Sequence, residues 1–400
     1  MAIEKGIEEN PVVRLTDSIL VEGIKRKASD ILIEPLERNI RIRYRVDGLL
    51  REGFNPPKRI HSQLLIRIKV MAKLDIAEKR LPQDGRFKLK VGGRNVDFRV
   101  SVIPSSSGEK IALRILDKST LMLDLEKLGF EQREVKKLRE AVKHPHGMIL
   151  ICGPTGCGKT TTLYSLLHLV DKPEVNITST EDPVEYEISG INQVAINPAI
   201  KLTFTNSLRS ILRQDPDIIM VGEIRDATTV DIAIKAALTG HLVLSSFHSM
   251  DAAGAITRLI NMGAEPFLIT SCVLLVAAQR LVRKLCSHCK EEYQPGEKIL
   301  QSLKIKTEKG ENILYRSKGC GICQNSGYSG RLAIIEVIPL EREIKELIMK
   351  KRSESEIRKK ARELGMRTMR EDGMRKVLSG ETSVEEILRV TTADEQINAG

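Results

Sequence analysis

The spacing of apolar and polar positions predicts a mixed fold for the first third of the chain. Residues 12–28 repeat apolar side chains with the period of an amphipathic helix, and residues 40–46 alternate apolar side chains with arginines, as a half-buried strand does. A second helix and further strands are expected at residues 60–78, 85–104 and 110–116. We therefore expect a basic α+β (PAS-like) N-terminal domain over residues 1–117.

Beyond a linker at residues 118–130, apolar strands alternate with helices. The strands are predicted at residues 148–152, 176–179, 217–221 and 242–246, and the helices at residues 161–170, 207–213 and 229–238. This alternation is typical of a parallel sheet with helices on its faces, and it predicts an α/β domain over residues 131–283. The longest apolar stretch, residues 267–278, is too short to span a membrane and is expected to form a buried helix.

From Cys286 onward the alternation of strands and helices gives way to paired cysteines and short helices. Two cysteine pairs predict a small metal-binding subdomain over residues 284–335, and short helices broken at Gly365 and Gly380 predict a helical C-terminal subdomain over residues 336–400. Because the N-terminus has no hydrophobic signal region, we expect a cytoplasmic protein.

The net charge of +11 is concentrated in the N-terminal domain. Residues 11–117 hold 23 Lys and Arg against 13 Asp and Glu, so nearly all of the surplus lies there. Such a basic domain is suited to nucleic acid, an anionic membrane surface or a polyphosphate ligand. The rest of the composition, 41% hydrophobic and 29% charged, is that of a globular chain.

Residues 153–160 read GPTGCGKT, between a predicted apolar strand and a predicted helix. Backbone N–H groups of such a loop wrap phosphates, Lys159 reaches the terminal phosphate oxygens, and Thr160 offers a hydroxyl to Mg²⁺. Cys157 is expected to be either a filler or a reactive thiol near the helix N-terminus. The residues expected to hold ATP are Gly153, Pro154, Thr155, Gly156, Cys157, Gly158, Lys159, Thr160 and Thr161.

Acidic and histidine side chains follow the neighbouring predicted strands. Glu181 and Glu223 each end one, and a carboxylate beside a phosphate site can order the Mg²⁺ shell or the attacking water. His241 and His248 bracket the strand at residues 242–246, which favours a sensor of the γ-phosphate as much as two structural histidines.

Two C-x-x-C pairs, separated by thirty residues, predict a zinc site. Four thiolates close a tetrahedral zinc site, so its role is expected to be structural. His288 is a weaker alternative ligand. The expected zinc ligands are Cys286, Cys289, Cys320 and Cys323.

Together these motifs resemble the secretion ATPase superfamily, specifically the type II secretion and type IV pilus-assembly ATPases. The resemblance covers almost the whole chain through the phosphate loop, the paired cysteines and the strings EDPVEY, LRQDPDIIMVGEIRD, AALTGHLVLSSFHSMDA and GYSGRLAIIEV. It implies a RecA-like ATPase domain in a homo-hexameric ring. It also implies inner-membrane platform proteins as partners, peripheral membrane association through them, and no nucleic acid.

The resemblance assigns roles to individual residues. Lys159 and Thr160 would bind ATP and Mg²⁺, Glu223 would be the Walker B glutamate, and Glu181 would compete with it as general base. His241 and His248 would be the family's histidine-box residues. Arginines that look like those reaching the nucleotide, or contacting the ring neighbour, are Arg86, Arg99, Arg114, Arg209 and Arg213.

Three departures qualify the resemblance. Leu32 stands where the family usually has His, and FHSMDA replaces the commoner LHTNDA. The chain also starts directly in the domain before the motor, without the extra N-terminal domain that often docks relatives onto the membrane platform. Direct membrane recruitment therefore stays open.

Three rival functions remain. The pilus-retraction ATPases resemble this chain in the motor but generally lack paired cysteines. A DNA-associated translocase or helicase with a zinc module would fit the basic charge, but the aromatics of the basic domain show no stacking pattern. A small-molecule kinase would need an acceptor pocket that no motif indicates.

Overall fold

The computed structural model describes residues 10–117, 123–296 and 313–392. The chain divides into two compact units, Met1–Leu121 and Met122–Gly400. Within the described ranges, no helix combines the length and the apolar character that a membrane crossing requires.

The first unit is a six-stranded antiparallel sheet with two helices. Its strand order is β3-β2-β1-β6-β5-β4. The strands are β1 Asp30–Pro35, β2 Ile40–Val46, β3 Leu49–Glu52, β4 Gln83–Val91, β5 Arg94–Ser105 and β6 Gly108–Leu116, and the helices are α1 Pro11–Lys25 and α2 His61–Met71, the latter preceded by a 3-10 turn at Lys58–Ile60. The hairpin between β4 and β5 turns at Gly92 and Gly93, as the sequence predicts.

The outer face of this sheet is basic but extensively ion-paired. On β2 the apolar side chains are buried and the arginines between them are half-buried, as the alternation predicts. Glu34 of β1 accepts from Arg41 at 3.1 Å and from Arg43 at 2.8 Å, and it pairs with Lys110 at 3.0 Å. Burial alone would raise the pKa of Glu34, but these cations lower it to about 2.

The second unit is built on a seven-stranded sheet in the order β15-β12-β7-β11-β10-β8-β9. Its strands are β7 Gly147–Cys152, β8 Ile177–Glu181, β9 Asn192–Ala195, β10 Ile218–Ile224, β11 Leu242–Phe247, β12 Val273–Leu285 and β15 Tyr328–Pro339, with β13 Lys290–Tyr293 and β14 Leu314–Ser317 as a separate hairpin. Within the seven-stranded sheet, β15 runs antiparallel to β12, and the other neighbouring strands are parallel to one another. The four strands predicted for the parallel sheet are β7, β8, β10 and β11.

Helices cover this sheet and, in the part of the chain that the structure describes, continue to Val390. They are α3 Gln132–Val142, α4 Lys159–Val170, α5 Phe204–Ile211, α6 Ala227–Leu238, α7 Ala252–Asn261, α8 Pro266–Cys272, α9 Arg342–Met349, α10 Glu354–Glu363, α11 Met369–Leu378 and α12 Val384–Val390, with 3-10 turns at Leu125–Leu128 and Pro198–Ile200. Gly365 and Gly380 follow α10 and α11 with positive φ angles of 90° and 70°. Glycine tolerates this left-handed conformation, which explains both predicted breaks.

The buried helix predicted at residues 267–278 is wrong beyond Cys272. The helix α8 ends at Cys272, and the following residues form β12, which lies between β7 and β15. A strand covered on both faces is apolar without alternation, so its pattern cannot be distinguished from that of a buried helix. Since β12 and β15 belong to the central sheet, the cysteine pairs and the C-terminal helices share a compact unit with the phosphate loop.

Candidate active site

The phosphate loop connects the carboxyl end of β7 to the first turn of α4. Gly156 and Gly158 have φ angles of 78° and 91°, a conformation that glycine adopts without strain. Lys159 is the first residue of α4, and its Nζ donates to the carbonyl oxygens of Gly153 at 2.8 Å and Pro154 at 3.1 Å. The lysine ammonium therefore lies over the loop, at the positive end of a helix.

The other loop residues follow the same geometry. Cys157 is buried, and burial raises the pKa of its thiol, so the structure favours the filler role. A Cβ on Gly153 would lie 2.5 Å from Cys157 Sγ, which requires glycine there. Pro154, Thr155 and Gly156 are exposed, whereas Thr160 and Thr161 are partly exposed in the first turn of α4.

Glu181 is the last residue of β8 and is almost completely buried. Its Oε1 accepts from Ser179 Oγ at 2.6 Å and from Gln193 Nε2 at 3.0 Å, and its Oε2 accepts a short hydrogen bond from Tyr164 Oη. Burial next to this carboxylate raises the pKa of Tyr164 far above its usual value. Both oxygens of Glu181 are thus occupied by donors, including a tyrosine of the phosphate-loop helix.

Glu223 lies at the irregular end of β10. The register between β10 and β11 shifts between Val221 and Ile224, and such a bulge redirects the side chains that it contains. The side chain of Glu223 is 13% exposed, and its Oε2 lies 3.1 Å from Nε2 of His248, which follows β11. A carboxylate and an imidazole therefore meet at the edge of the sheet where the phosphate loop begins.

Gly222 allows this edge to be closely packed. A Cβ at this position would lie 3.1 Å from the carbonyl oxygen of Thr180 and 3.2 Å from the Cα of Glu181. The backbone of β10 is held from the other side by Ser246 Oγ, which donates to Gly222 O at 2.5 Å. A larger side chain would push apart the strands that carry the two glutamates.

Arg225 is a residue of this site that the sequence analysis missed. Its guanidinium forms a close ion pair with Glu223 and lies 3.8 Å from Asp182 Oδ2. The ion pair with Glu223 raises the pKa of Arg225. Its place directly after β10, next to the end that carries Glu223, was the available signal. Arg225 brings a positive charge between two carboxylates that would otherwise repel a phosphate.

The structure does not bring His241 to this site. His241 precedes β11, and its carbonyl accepts from the N–H of Gly147 at the first residue of β7. Its Nδ1 lies 2.9 Å from the carbonyl oxygen of Ala236, at the end of α6. Because β11 spans 6 residues, about 20 Å separates the two histidines. Within one chain, His241 therefore belongs to the opposite edge of the sheet.

Arg209 and Arg213 are also away from the phosphate loop. Arg209 lies on α5 and Arg213 follows it, where the chain turns toward the amino end of β10. Both are exposed, and Arg213 Nη1 donates to Arg209 O at 2.9 Å. Their charges face solvent in a single chain, at the edge that holds His241.

Three arginines of the first unit lie in one row across its sheet. Arg86 pairs directly with Arg99 between β4 and β5, and Arg99 pairs with Arg114 between β5 and β6. Directly opposed residues share a face, so the three arginine side chains lie on the same face of the sheet. Arg114 also contacts Asp30, with 3.2 Å between Nε and Oδ1, at the end of the row. Like charges in this arrangement repel, and an anion over the row would lower that cost.

The four paired cysteines form one cluster. Their Sγ atoms lie within 4.8 Å of one another, with 3.7 Å between Cys289 and Cys323 and 4.0 Å between Cys286 and Cys320. Tetrahedral zinc with Zn–S bonds of about 2.3 Å needs separations of roughly 3.8 Å, so the cluster fits a zinc ion. His288 is exposed and is not part of it.

The surroundings of Cys323 also suit a metal-bound thiolate. Burial raises the pKa of this thiol, but the N–H groups of Cys320 and Gly327, both 3.2 Å from Cys323 Sγ, and the neighbouring thiols of Cys320 and Cys289 outweigh burial and lower the pKa below its usual value. Metal binding requires the deprotonated thiol. The backbone is therefore arranged to favour the form that binds metal.

Comparison with known proteins decides the family. The model of the "Type II/IV secretion system protein" family matches residues 6–389. The chain belongs to this family. It is 48% identical over 393 residues to a type IV pilus assembly ATPase of Myxococcus xanthus, covering 98% of this chain and 69% of that protein. It is 50% identical to type II secretion proteins of Pseudomonas aeruginosa and Vibrio cholerae, over 96% of this chain and 76% of each relative.

Two solved structures share the fold of this chain. The ATPase DotB of Legionella pneumophila matches with a TM-score of 0.68 at 20% identity, over 96% of each chain. The pilus retraction motor PilT matches with a TM-score of 0.63 at 23% identity, covering 96% of this chain and 97% of the other. These similarities show the fold. The names of the closer sequence relatives support ATPase activity for this family member.

Proposed function

We propose that this family member hydrolyses ATP as a subunit of a homo-hexameric motor that powers assembly of a pilus or pseudopilus. The observation that carries the proposal is the arrangement of the phosphate loop, Glu181, Glu223 and His248 at one edge of one parallel sheet. This is the edge at which open α/β sheets bind ligands, because parallel strands point their carboxyl ends there. The product is ADP and phosphate.

Each residue has a distinct part in the proposed reaction. The loop amides and Lys159 bind the phosphates, and Thr160 would hold Mg²⁺, which neutralises phosphate charge when bound. Glu223 accepts the proton of the attacking water, and His248 orients that carboxylate through their 3.1 Å contact. Glu181 is more deeply buried than Glu223 and accepts from Tyr164, Ser179 and Gln193, so we assign it a positioning role rather than that of the base.

The remaining arginines would complete the site in the assembled ring. We propose that the row of Arg86, Arg99 and Arg114 contacts the nucleotide, because planar guanidinium groups match phosphate oxygens. Arg209, Arg213 and His241 face away from the phosphate loop of their own chain and would meet a neighbouring subunit. Such a shared site couples hydrolysis to movement of one part against another.

The cysteine cluster and the family relatives support assembly rather than retraction. The proposed partners are platform proteins of the inner membrane, through which the hexamer would associate peripherally on the cytoplasmic side. A DNA translocase is less well supported, because Glu34 and Asp30 already form ion pairs with Arg41, Arg43, Arg45 and Lys110 of the basic face of the first unit.

The test combines hydrolysis with assembly. Purified chain should release phosphate from ATP, Lys159→Ala should abolish this release, and exchange of the exposed Lys172 for Ala should leave it unchanged. Native mass spectrometry with ATP should show six subunits. Turnover that survives in Lys159→Ala, or ATPase activity stimulated by DNA in a salt-sensitive manner, would overturn the proposal.

A further inference from the structure

Gln279 of β12 contacts the phosphate loop and the first turn of α4. Its Nε2 donates to Cys157 O at 2.7 Å, and its Oε1 accepts from Thr162 Oγ1 at 2.8 Å. One contact lies before Lys159 and the other after it. The Gln279 side chain is 1% exposed, so its amide has exchanged water for these two partners and holds both sides of the loop at fixed positions.

Two loop glycines confirm how closely β12 and the loop are packed. A Cβ on Gly153 would lie 2.7 Å from the carbonyl oxygen of Gln279, and one on Gly158 would lie 3.1 Å from its Nε2. The glycines at both ends of the loop are therefore required partly by β12. The loop is shaped by the neighbouring strand as well as by its own sequence.

Arg280, the next residue of β12, contacts a different loop. Its Nη2 donates to Met250 O at 2.6 Å, and its Nη1 donates to Gln279 O at 3.0 Å. Met250 lies two residues after His248, in the connection between β11 and α7. The Arg280 side chain is buried, and burial lowers its pKa. A buried guanidinium is costly unless its donors are used, and here they are used on backbone carbonyls.

We propose that Gln279 and Arg280 are positioning residues of the nucleotide site. Gln279 fixes the phosphate loop in the conformation that binds nucleotide, and Arg280 fixes the loop that places His248 against Glu223. The inference rests on the proposed ATPase function and adds to it two residues that act through the phosphate loop and through the loop after β11. It requires the two residues to act differently, the first on binding and the second on turnover.

The first test compares Gln279→Met with Lys284→Met in the full-length chain. Methionine retains the shape of glutamine but forms neither hydrogen bond, and Lys284 is an exposed residue of the same strand. Calorimetric titration with ADP and Mg²⁺ should give a Kd about tenfold higher for Gln279→Met, the effect of losing a hydrogen bond to a buried partner. Its kcat should stay within about threefold, and Lys284→Met should match the wild type.

The second test separates Arg280 from Gln279. Arg280→Met should lower kcat about tenfold or more while changing the Kd for ADP less than about threefold, because His248 would no longer be held. Arg280→Lys should recover part of kcat, since an ammonium can still donate to Met250 O. This split between kcat and Kd is not the signature of general destabilisation, which would affect both variants alike.

A double-mutant cycle keeps the inference testable if Gln279→Met folds poorly. Thr162→Val removes the same contact from the α4 side and should also raise the Kd, and the two changes together should cost less than their sum. Wild-type chain that fails to bind ADP overturns the ATPase function and this inference together. Wild-type chain that binds and hydrolyses, with variants indistinguishable from Lys284→Met, overturns the inference alone.

Discussion

His248 Nε2 lies 3.1 Å from Glu223 Oε2, although the two residues are 25 positions apart and belong to different strand ends. Glu223 lies in the irregular end of β10, and His248, which follows the parallel strand β11, lies beside it. Glu181, by contrast, is almost completely buried and accepts from Tyr164, Ser179 and Gln193, whereas the side chain of Glu223, which pairs with His248 and Arg225, is 13% exposed. This difference separates the two glutamates that the sequence leaves equivalent as candidates for the general base.

Glu223→Gln should remove catalysis without removing binding. An amide cannot accept the proton of the attacking water, so kcat should fall about 10²- to 10⁴-fold, the usual contribution of a general base. The Kd for ADP should change by less than about threefold. Rapid-quench measurement of phosphate release, with calorimetric binding beside it, checks both. A turnover close to that of the wild type would remove Glu223 from the role of base.

Tyr164→Phe should affect stability more than turnover. The change deletes one donor to the buried Glu181 carboxylate, which should lower the free energy of unfolding by about 1–3 kcal/mol. Because Glu181 positions the site and is not the base, kcat should fall by less than about threefold. Thermal unfolding and steady-state kinetics measure the two quantities. A loss of kcat as large as that of Glu223→Gln would assign the proton transfer to Glu181.

The row of Arg86, Arg99 and Arg114 should act between subunits. Arg86→Ala should lower ATPase activity about tenfold or more, because a positive charge that stabilises the transferring phosphoryl group is lost. Lys90, an exposed residue of the same strand and face, provides the control Lys90→Ala. Mixing Arg86→Ala with Lys159→Ala subunits should restore part of the ATPase activity. At some interfaces the intact Lys159 of one subunit would then meet the intact Arg86 of its neighbour. Absence of recovery at every mixing ratio would argue against a shared site.

Local sequence patterns predicted most helices and strands, whereas contacts between distant segments determine which side chains meet at the candidate site. Three features could be predicted because each depends on periodicity or on a special backbone conformation. They are the strand at residues 40–46, the glycine breaks between the C-terminal helices, and the strands of the parallel sheet. The strand β12 was not readable, because a fully buried strand and a buried helix have the same apolar pattern. With β12 misassigned, Gln279 and Arg280 could not be placed under the phosphate loop.

The parts of the candidate site that lie in one motif of fixed geometry were predicted from the sequence. The parts that depend on how distant strands pair were missed. The phosphate loop and the cysteine pairs carry their spacing in the sequence. His241 and His248 look equivalent beside one strand, but a strand separates its two ends by its full length, so only His248 reaches Glu223. The alignment of Arg86, Arg99 and Arg114 depends on strand register, which the sequence does not display.

Zinc content should depend on the cluster and not on thiols in general. Metal analysis of purified protein should find about one zinc per chain, since four thiolates form one closed site. Cys320→Ser should reduce zinc to near zero, and Cys157→Ser, which changes a buried cysteine outside the cluster, should leave it unchanged. Removing the metal with a chelator should lower the unfolding temperature, because structural zinc contributes to folding. Wild-type protein without zinc would refute the site.

Glu336 should make stability depend on pH. This carboxyl group of β15 is buried against two helix starts, accepting from the N–H of Ala252 at 2.8 Å and of Met369 at 3.3 Å. Burial outweighs these hydrogen bonds and raises its pKa from 4.5 to about 7. Between these two values the unfolded chain ionises while the folded chain keeps the proton, so the free energy of unfolding should fall as pH rises and level off above pH 7.

The free energy of unfolding should fall by about 3 kcal/mol over this pH range, because one pKa unit corresponds to about 1.4 kcal/mol. Glu336→Gln has no ionisable group at this position, so its stability should depend less on pH between 4.5 and 7 by that amount. Exchange of the exposed Glu343 for Gln is the control and should retain the wild-type slope. Urea unfolding across this range measures the slopes, and equal slopes for wild type and Glu336→Gln would show that Glu336 ionises normally in the folded protein.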